Sequence, residues 1–403
     1  MSSPAPAKFT LRSLIVPVFI PSALFSTGEY ALVPMIPASA ERLGASIPLA
    51  GLIAGLVMLG TVFADIPAAR VVNRLGERKA MMFSALLASV GIALAVMSQN
   101  IWLLSGGVLF VGGAVAVFAL ARHAYMAEYV PIDMRARALS VLGGMFRLGS
   151  FVGPMLSALA IARFGVSAAL WLASGAMAMS VVILIFARGD ESQGVDAVGT
   201  HSTVRILWRE RRKLLTVGTG SAILAMLRTT RIVGLPLWAL TLHLPAEVTA
   251  LYIGIAAALD FALFYTSGQI MDKYGRVWAA VPTLVGMGLT HLAVFMAGDA
   301  TGFLWLALAM ALANGLGSGL ILVLGADLAP EDARSEFLGG YRVLVDGAVA
   351  LSSPILSWVT LLTGSVALGM SGFGLLGFVG AWLMYKYIPQ YAPTRSKVDK
   401  TGS

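Results

Sequence analysis

Residues 222–240 read AILAMLRTTRIVGLPLWAL, an apolar run long enough to cross the ~30 Å hydrocarbon core of a bilayer as a helix. Arg228 and Arg231 stand near its middle. A charge at the bilayer centre costs roughly 3 kcal/mol on insertion scales, so a segment that keeps two of them must shelter both. The rest of the chain has the same character. Its 403 residues are 58% hydrophobic and 12% charged, where soluble proteins carry about 25% charged residues. The apolar residues come in long blocks rather than short strands, which places the chain in a membrane. There is no cysteine, which excludes disulfides, thiolate metal sites and a Cys nucleophile. The four histidines (His123, His201, His243, His291) lie too far apart for metal-ligand spacing. The polar lead MSSPAPAKFTLRS carries no cleavage pattern, so the first hydrophobic segment is expected to be retained.

Breaks at polar or Pro/Gly-rich stretches predict twelve spans: 12–36, 47–70, 80–98, 101–126, 138–162, 166–187, 214–240, 247–271, 277–297, 302–326, 336–361 and 364–387. The longest polar stretch divides them six and six. It predicts an N-terminal bundle over 1–187, a linker over 188–213 and a C-terminal bundle over 214–403. The linker ends in a basic, amphipathic piece suited to lie along the membrane surface. Of the 28 Lys and Arg, 21 fall on the side of the termini and the even-numbered connections. Only Arg42 and Arg163 fall opposite, and five lie inside spans. Positive charge marks the cytoplasm, so both termini and the linker are expected there. The net charge of +8 then follows from topology and anionic headgroups, and no nucleic-acid partner is needed.

Two stretches repeat. GQIMDKYGR (268–276) places Gly268, Asp272, Gly275 and Arg276; ARVVNRLGERK (69–79) has the same frame with Ala69, Asn73, Gly76, Glu77 and Arg78. Gly76 and Gly275 are 199 residues apart, and Pro154 and Pro354 are 200 apart. The agreement indicates an internal duplication in parallel. The Gly-x-x-x-Asp-x-x-Gly-Arg frame, the twelve spans and the duplication together resemble the major facilitator superfamily of transporters over essentially the whole chain. RLGSFVGPMLSA (147–158) is similar to the Gly-x-x-x-Gly-Pro motif of the drug:proton antiporter branch, with Gly149, Gly153 and Pro154 matching. The chain departs from that pattern at Ser157 or Ala158, where a glycine is usual. It departs again at Val108, ahead of Gly112, where an arginine is usual, and at Asn73, which replaces the hallmark aspartate. The resemblance implies an all-α membrane protein, twelve transmembrane helices in two pseudo-symmetric six-helix bundles. The hallmark loop acts as a latch between helix ends, strong at Asp272 and Arg276 and weaker at Asn73. Asp65 facing Arg122 is expected to supplement it.

The remaining intramembrane charges are Glu29, Arg147, Arg228, Arg231, Asp260, Arg342 and Asp346. None is well inside spans 3, 6, 9 or 12, the helices that the resemblance assigns to lipid. The others are expected to face an aqueous cleft. By depth, Arg228 is expected to pair with Asp260, and Arg342 with Asp346 four residues on. Arg231 and Arg147 have no evident carboxylate of their own, which points to solute or gating roles. Asn314 is the strongly polar residue inside span 10. A proton carrier must change charge as access alternates. Asp260 and Asp346 have arginine partners, whereas Glu29 has no cation within one helical turn and lies beside Ser26, Thr27 and Tyr30, so it is the first choice. Apolar walls are expected from Phe25, Met226, Trp238, Phe261 and Tyr265.

The expected function is alternating-access, proton-coupled export of amphipathic drug-like compounds across a bacterial inner membrane. The alternative is a carrier of an anionic metabolite or lipid-like amphiphile, since five intramembrane arginines outnumber four carboxylates. No nucleophile–base constellation is visible, so no catalysis, cofactor or metal is expected. The partners would be a small-molecule substrate, protons and the lipid bilayer, with the chain acting as a monomer.

Overall fold

The computed structural model describes residues 10–187 and 203–391, so the first part of the linker lies outside the described residues. Among the described residues, twelve helices are long and apolar enough to cross a membrane. Spans 1–6 are Leu11–Arg42, Ile47–Leu75, Glu77–Val96, Ile101–Tyr129, Arg137–Phe164 and Val166–Phe186. Spans 7–12 are Arg211–Thr241, Ala246–Lys273, Val277–Met296, Ala300–Leu328, Glu336–Thr363 and Val366–Tyr391. Among the described residues there is no strand, as a bilayer requires of any span that satisfies its backbone internally without forming a closed barrel.

The duplication is written into the backbone at a constant offset of 199 residues. Spans 1 and 7 both carry a π-helical turn near their start, at Ile15–Phe19 and Leu214–Gly218. Asn100 and Asp299 cap spans 4 and 10, their side chains accepting from the amides of Leu103 (2.9 Å) and Gly302 (2.7 Å). Gly76 and Gly275 both have positive φ, 76° and 95°, ahead of spans 3 and 9, which explains why the repeated loop keeps a glycine there. Gly44 at φ 85° has His243 at φ 52° as its counterpart, the positive-φ residue with a side chain among those described.

Packing groups the described residues of Met1–Leu32 and Leu59–Val195 into one compact unit. The second comprises the described residues of Val33–Met58 and Asp196–Ser403. Chain order divides the spans after residue 187; packing assigns the second part of span 1 and the first part of span 2 to the second unit. Small residues make that association close. A Cβ on Gly51 would lie 2.8 Å from Leu237 and 2.9 Å from Ser357, and one on Gly55 would lie 2.3 Å from Ser353.

Candidate functional site

Span 10 is broken. Its first part runs Ala300–Leu316 and its second Leu320–Leu328, with Gly319 left-handed at φ 77° between them. Carbonyls freed inside a membrane-spanning segment need donors. Ser267 of span 8 donates its hydroxyl to Leu316 O (2.7 Å) and Ser318 O (3.0 Å). Arg228 of span 7 donates Nη2 to Gly317 O at 2.8 Å. Arg228 therefore serves as the cap of a helix end.

Its Nε donates to Asn314 Oδ1 at 2.7 Å, and Asn314 Nδ2 donates to Asp260 Oδ2 at 2.6 Å. Arg231 closes the group: Nη2 donates to Asp260 Oδ2 at 3.0 Å and Nη1 to Met310 O at 3.3 Å. Arg231, expected to lack a carboxylate, is thus ion-paired with Asp260, and Arg228 is joined to the same carboxylate through Asn314. Depth alone could not distinguish two arginines three residues apart. Asp260 and Asn314 are buried, and the arginines half-buried. Arg342 Nε meets Asp346 Oδ2 at 3.0 Å along span 11, as the spacing predicts, with both side chains partly exposed.

The first unit holds its own charged group. Span 1 packs against span 5 through the expected glycines. A Cβ on Gly149 would lie 2.5 Å from Ser26 Cβ, and one on Gly153 would lie 2.5 Å from Thr27 O. Ser26 Oγ donates to Phe146 O at 2.7 Å, and Ser157, standing where a glycine is usual, donates to Ala31 O at 3.3 Å. Pro154 sits inside the span-5 helix. Gly28 brings span 1 equally close to span 6, its Cβ position 2.8 Å from Ala173 O. Phe25 stacks on Phe118 of span 4, centroids 4.0 Å apart.

Glu29 is buried in this packing and makes no side-chain hydrogen bond among the described residues. Its cation comes from another helix. Arg122 of span 4 lies in the field of Glu29 and Tyr30, with its guanidinium 5.5 Å from the Phe146 ring centroid. Tyr30 meets the same ring edge-on at 5.5 Å. Arg122 was expected opposite Asp65; it belongs to the Glu29 group instead, and its Nε is buried without an acceptor. Glu29 looked isolated because sequence spacing reports only neighbours on its own helix. Arg147 is half-buried on span 5, its carbonyl accepting from Ser150 Oγ at 2.8 Å.

The expected apolar walls divide. Met226 is half-buried. Phe261 (37%) and Tyr265 (74%) are exposed one turn apart on span 8. Trp238 is tied down, with Nε1 donating to Ala297 O at 2.9 Å.

The latch residues also divide. Arg276 Nε meets Asp327 Oδ2, at the end of span 10, at 3.0 Å. Its contact with Asp272 is longer, 3.6 Å, and Asp272 is 83% exposed. Asp327 therefore carries the stronger link. Its counterpart at the repeat offset is Glu128, but Arg276 has Glu77 as counterpart, so the first half cannot form the same pair. There Arg78 donates to Leu184 O (2.8 Å) and Ile185 O (2.7 Å), holding the end of span 6, while Asn73 is exposed. Gly268 has nothing within 4 Å of its Cβ position, so its spacing serves no close packing within the described chain.

The linker helix Thr203–Arg209 docks on the connection between spans 10 and 11. Arg209 holds Asp332 bidentately at 2.7 and 2.9 Å, and Lys213 Nζ donates to Leu328 O at 3.1 Å. Hydrogen bonding to Asp332, then to Glu210, raises the Arg209 guanidinium above its ordinary value. Ser267, Gly317, Asp327 and Asp332 were missed from sequence; only Asp327 left a signal, the repeat offset to another acid.

Comparison with known proteins agrees with this architecture. The family model described as Major Facilitator Superfamily matches residues 18–353. An uncharacterised MFS-type transporter of Mycobacterium tuberculosis is 27% identical over 131 residues, 32% of this chain and 19% of that protein. The class H tetracycline resistance protein of Pasteurella multocida is 28% identical over 152 residues, 37% of each chain. The matched stretches thus span well under two thirds of these relatives. A crystal structure of the peptide transporter POT in complex with sulfate superposes with a TM-score of 0.78 at 12% identity, covering 95% of each chain. A D-xylose–proton symporter structure gives 0.74 at 15%, covering 95% of this chain and 98% of that one. These likenesses concern the fold.

Proposed function

The chain belongs to the Major Facilitator Superfamily, and from that premise we propose a proton-coupled exporter of amphipathic drug-like compounds working by alternating access. It would sit in a bacterial inner membrane with both termini cytoplasmic, its bundles over 1–187 and 214–403 acting as the moving parts. The observation that carries the reading is Glu29. A buried carboxylate is costly unless paired and hydrogen-bonded. Glu29 has a charge partner in Arg122 and no hydrogen bond among the described residues, so a proton is an economical alternative counter-charge. Loss or gain of that proton would change the charge of the span 1–span 4 contact, as coupling requires. Asp260 is held by Arg231 and Asn314, and Asp346 by Arg342, so both carboxylates are already engaged.

Those same pairs bear on the solute. Three of the five intramembrane arginines face carboxylates, Arg231 with Asp260, Arg342 with Asp346 and Arg122 in the field of Glu29, and Arg228 also caps the break in span 10. The arginine excess that would favour an anionic solute is therefore smaller than composition suggests. The tetracycline resistance relative points the same way. Met226, Phe261 and Tyr265 would supply apolar contacts.

The test is flux of amphipathic dyes and drugs in proteoliposomes, with and without an imposed pH gradient. Gradient-driven transport that disappears on collapsing the gradient is expected. Transport of anionic metabolites only, or flux indifferent to the gradient, would overturn the reading.

A further inference from the structure

The linker helix has three faces. Ile206 and Leu207 turn inward; Ile206 is 4% exposed, and Leu207 packs so tightly on span 11 that a Cβ on Gly340 would lie 2.0 Å from it. Val204 and Trp208, one turn apart, share a second face and are 77% and 70% exposed. Arg205 and Arg209 occupy a third. Past the turn at Glu210 come Arg211, Arg212 and Lys213, and then Leu215, 68% exposed at the head of span 7. Arg211 lies over the Trp208 ring at 4.7 Å and donates to its carbonyl at 2.9 Å.

The basic residues are not equivalent. Arg209 is committed to Asp332 and Glu210, and Lys213 to Glu210 at 2.9 Å. Among the described residues, no carboxylate pairs with Arg205, Arg211 or Arg212, and all three are exposed. Three unmatched guanidiniums therefore flank an exposed Val–Trp face, next to a leucine that begins a membrane span. Water alone does not favour that exposed tryptophan, whereas the headgroup region suits both its ring and its N–H.

We propose that residues 203–215 form a docking surface for anionic phospholipid. Val204, Trp208 and Leu215 enter the interface, while Arg205, Arg211 and Arg212 take the headgroup phosphates. Guanidinium forks match phosphate oxygens bidentately, and a juxtamembrane basic cluster gains from a negative surface potential. The charge complementarity selects an anionic lipid over a zwitterionic one. The Arg209–Asp332 fork ties the surface to the span 10–11 connection, so headgroup binding would bear on that connection directly. This inference is independent of the solute and of proton coupling.

The full chain is reconstituted in phosphatidylcholine vesicles containing lipid brominated either on phosphatidylglycerol or on phosphatidylcholine, at equal mole fraction. The chain has eight tryptophans, so the Trp208 signal is taken as wild type minus Trp208→Phe. Brominated phosphatidylglycerol is expected to quench it more strongly. The preference should fall by roughly fivefold for each arginine replaced in Arg205→Gln, Arg211→Gln and Arg212→Gln. Raising ionic strength should erase it in the wild type, which keeps the test open if the triple variant fails to fold. Free glycerol phosphate should not compete, because it cannot occupy the Val–Trp face. Equal quenching by both lipids, absence of quenching, or a preference untouched by salt would overturn the proposal, as would competition by glycerol phosphate, which would indicate a soluble phosphate site.

Discussion

Arg228 and Gly317 are joined by a hydrogen bond of 2.8 Å from the guanidinium to the Gly317 carbonyl at the break in span 10. A cation placed at a helix C-terminus also suits the helix dipole. Arg228 is therefore a structural part of the break, and Arg228→Leu should destabilise the protein by about 1–3 kcal/mol through the carbonyl and amide it orphans. Arg228→Lys should recover only part, since an ammonium cannot span Asn314 and Gly317 as a planar fork does. Detergent melting curves read both. A fully stable Arg228→Leu would show that the break needs no cap.

The Arg231–Asp260 pair is expected to show coupling. Asp260→Ala leaves a guanidinium half-buried and should cost about 3–5 kcal/mol. Arg231→Ala should also destabilise, and the double variant should recover part of the combined loss. Strictly additive losses would mean that the two side chains do not depend on each other.

Glu29→Gln keeps the shape of the side chain and removes its ability to change charge. It should fold, bind ligand and lose uphill, gradient-driven flux while retaining downhill exchange. Wild-type uphill transport in this variant would remove Glu29 from coupling.

The glycines of span 5 make a contrasting pair of predictions. Gly153→Leu drives a side chain into backbone atoms of span 1 that cannot step aside, and overpacking of that kind costs about 1–3 kcal/mol or more. Gly268→Ala meets open space within a helix, and should be neutral or stabilising by up to about 1 kcal/mol. Similar losses for the two would contradict the close contact of Gly153 with span 1 and the open space at Gly268.

His243 stands in left-handed backbone, where a Cβ costs roughly 1 kcal/mol, so His243→Gly should be neutral or mildly stabilising and His243→Val destabilising. Thermal shifts in the opposite order would rule out strain at this turn.

Linker docking should weaken in acid. Burial opposes ionisation of Glu210, but Lys213 and then Arg209 outweigh it, and its carboxyl is lowered on folding from the ordinary 4.5. Such a group stabilises the folded form above its unfolded value, and the contribution fades as pH drops through the folded value. The Glu210 contribution to the ordered linker is therefore complete at neutral pH and fades below about 4.5. The chain has no cysteine, so a spin label on Val204→Cys reports only this helix. Its mobility should rise in acid and, at neutral pH, in Asp332→Asn. Mobility independent of both would show that Arg209–Asp332 does not hold the linker.

Much of the architecture was legible because its causes are local. Apolar runs of bilayer length set the twelve spans, and Gly76 and Gly275 marked the duplication because their turns need positive φ. Gly149 and Gly153 announced close helix packing because a missing Cβ is visible in the sequence itself. The Arg342–Asp346 pair followed from a spacing of four on one helix. Each of these depends on neighbours along the chain or on a residue type with a single steric use.

Which helix meets which was a different matter. Depth along the helices suggests Asp65 for Arg122, which lies in the field of Glu29; spacing offers no carboxylate for Arg231, which holds Asp260; neither marks Asp327 or Asp332. The sequence by itself determined that charges lie inside the membrane, that they must be sheltered and that two repeats carry them. Only the tertiary structure decided their partners. A guanidinium on a long side chain reaches about as far as the separation of neighbouring helices. Rotation of a helix by one residue, or a break such as that at Gly317–Gly319, therefore changes the partner while leaving composition, depth and spacing the same.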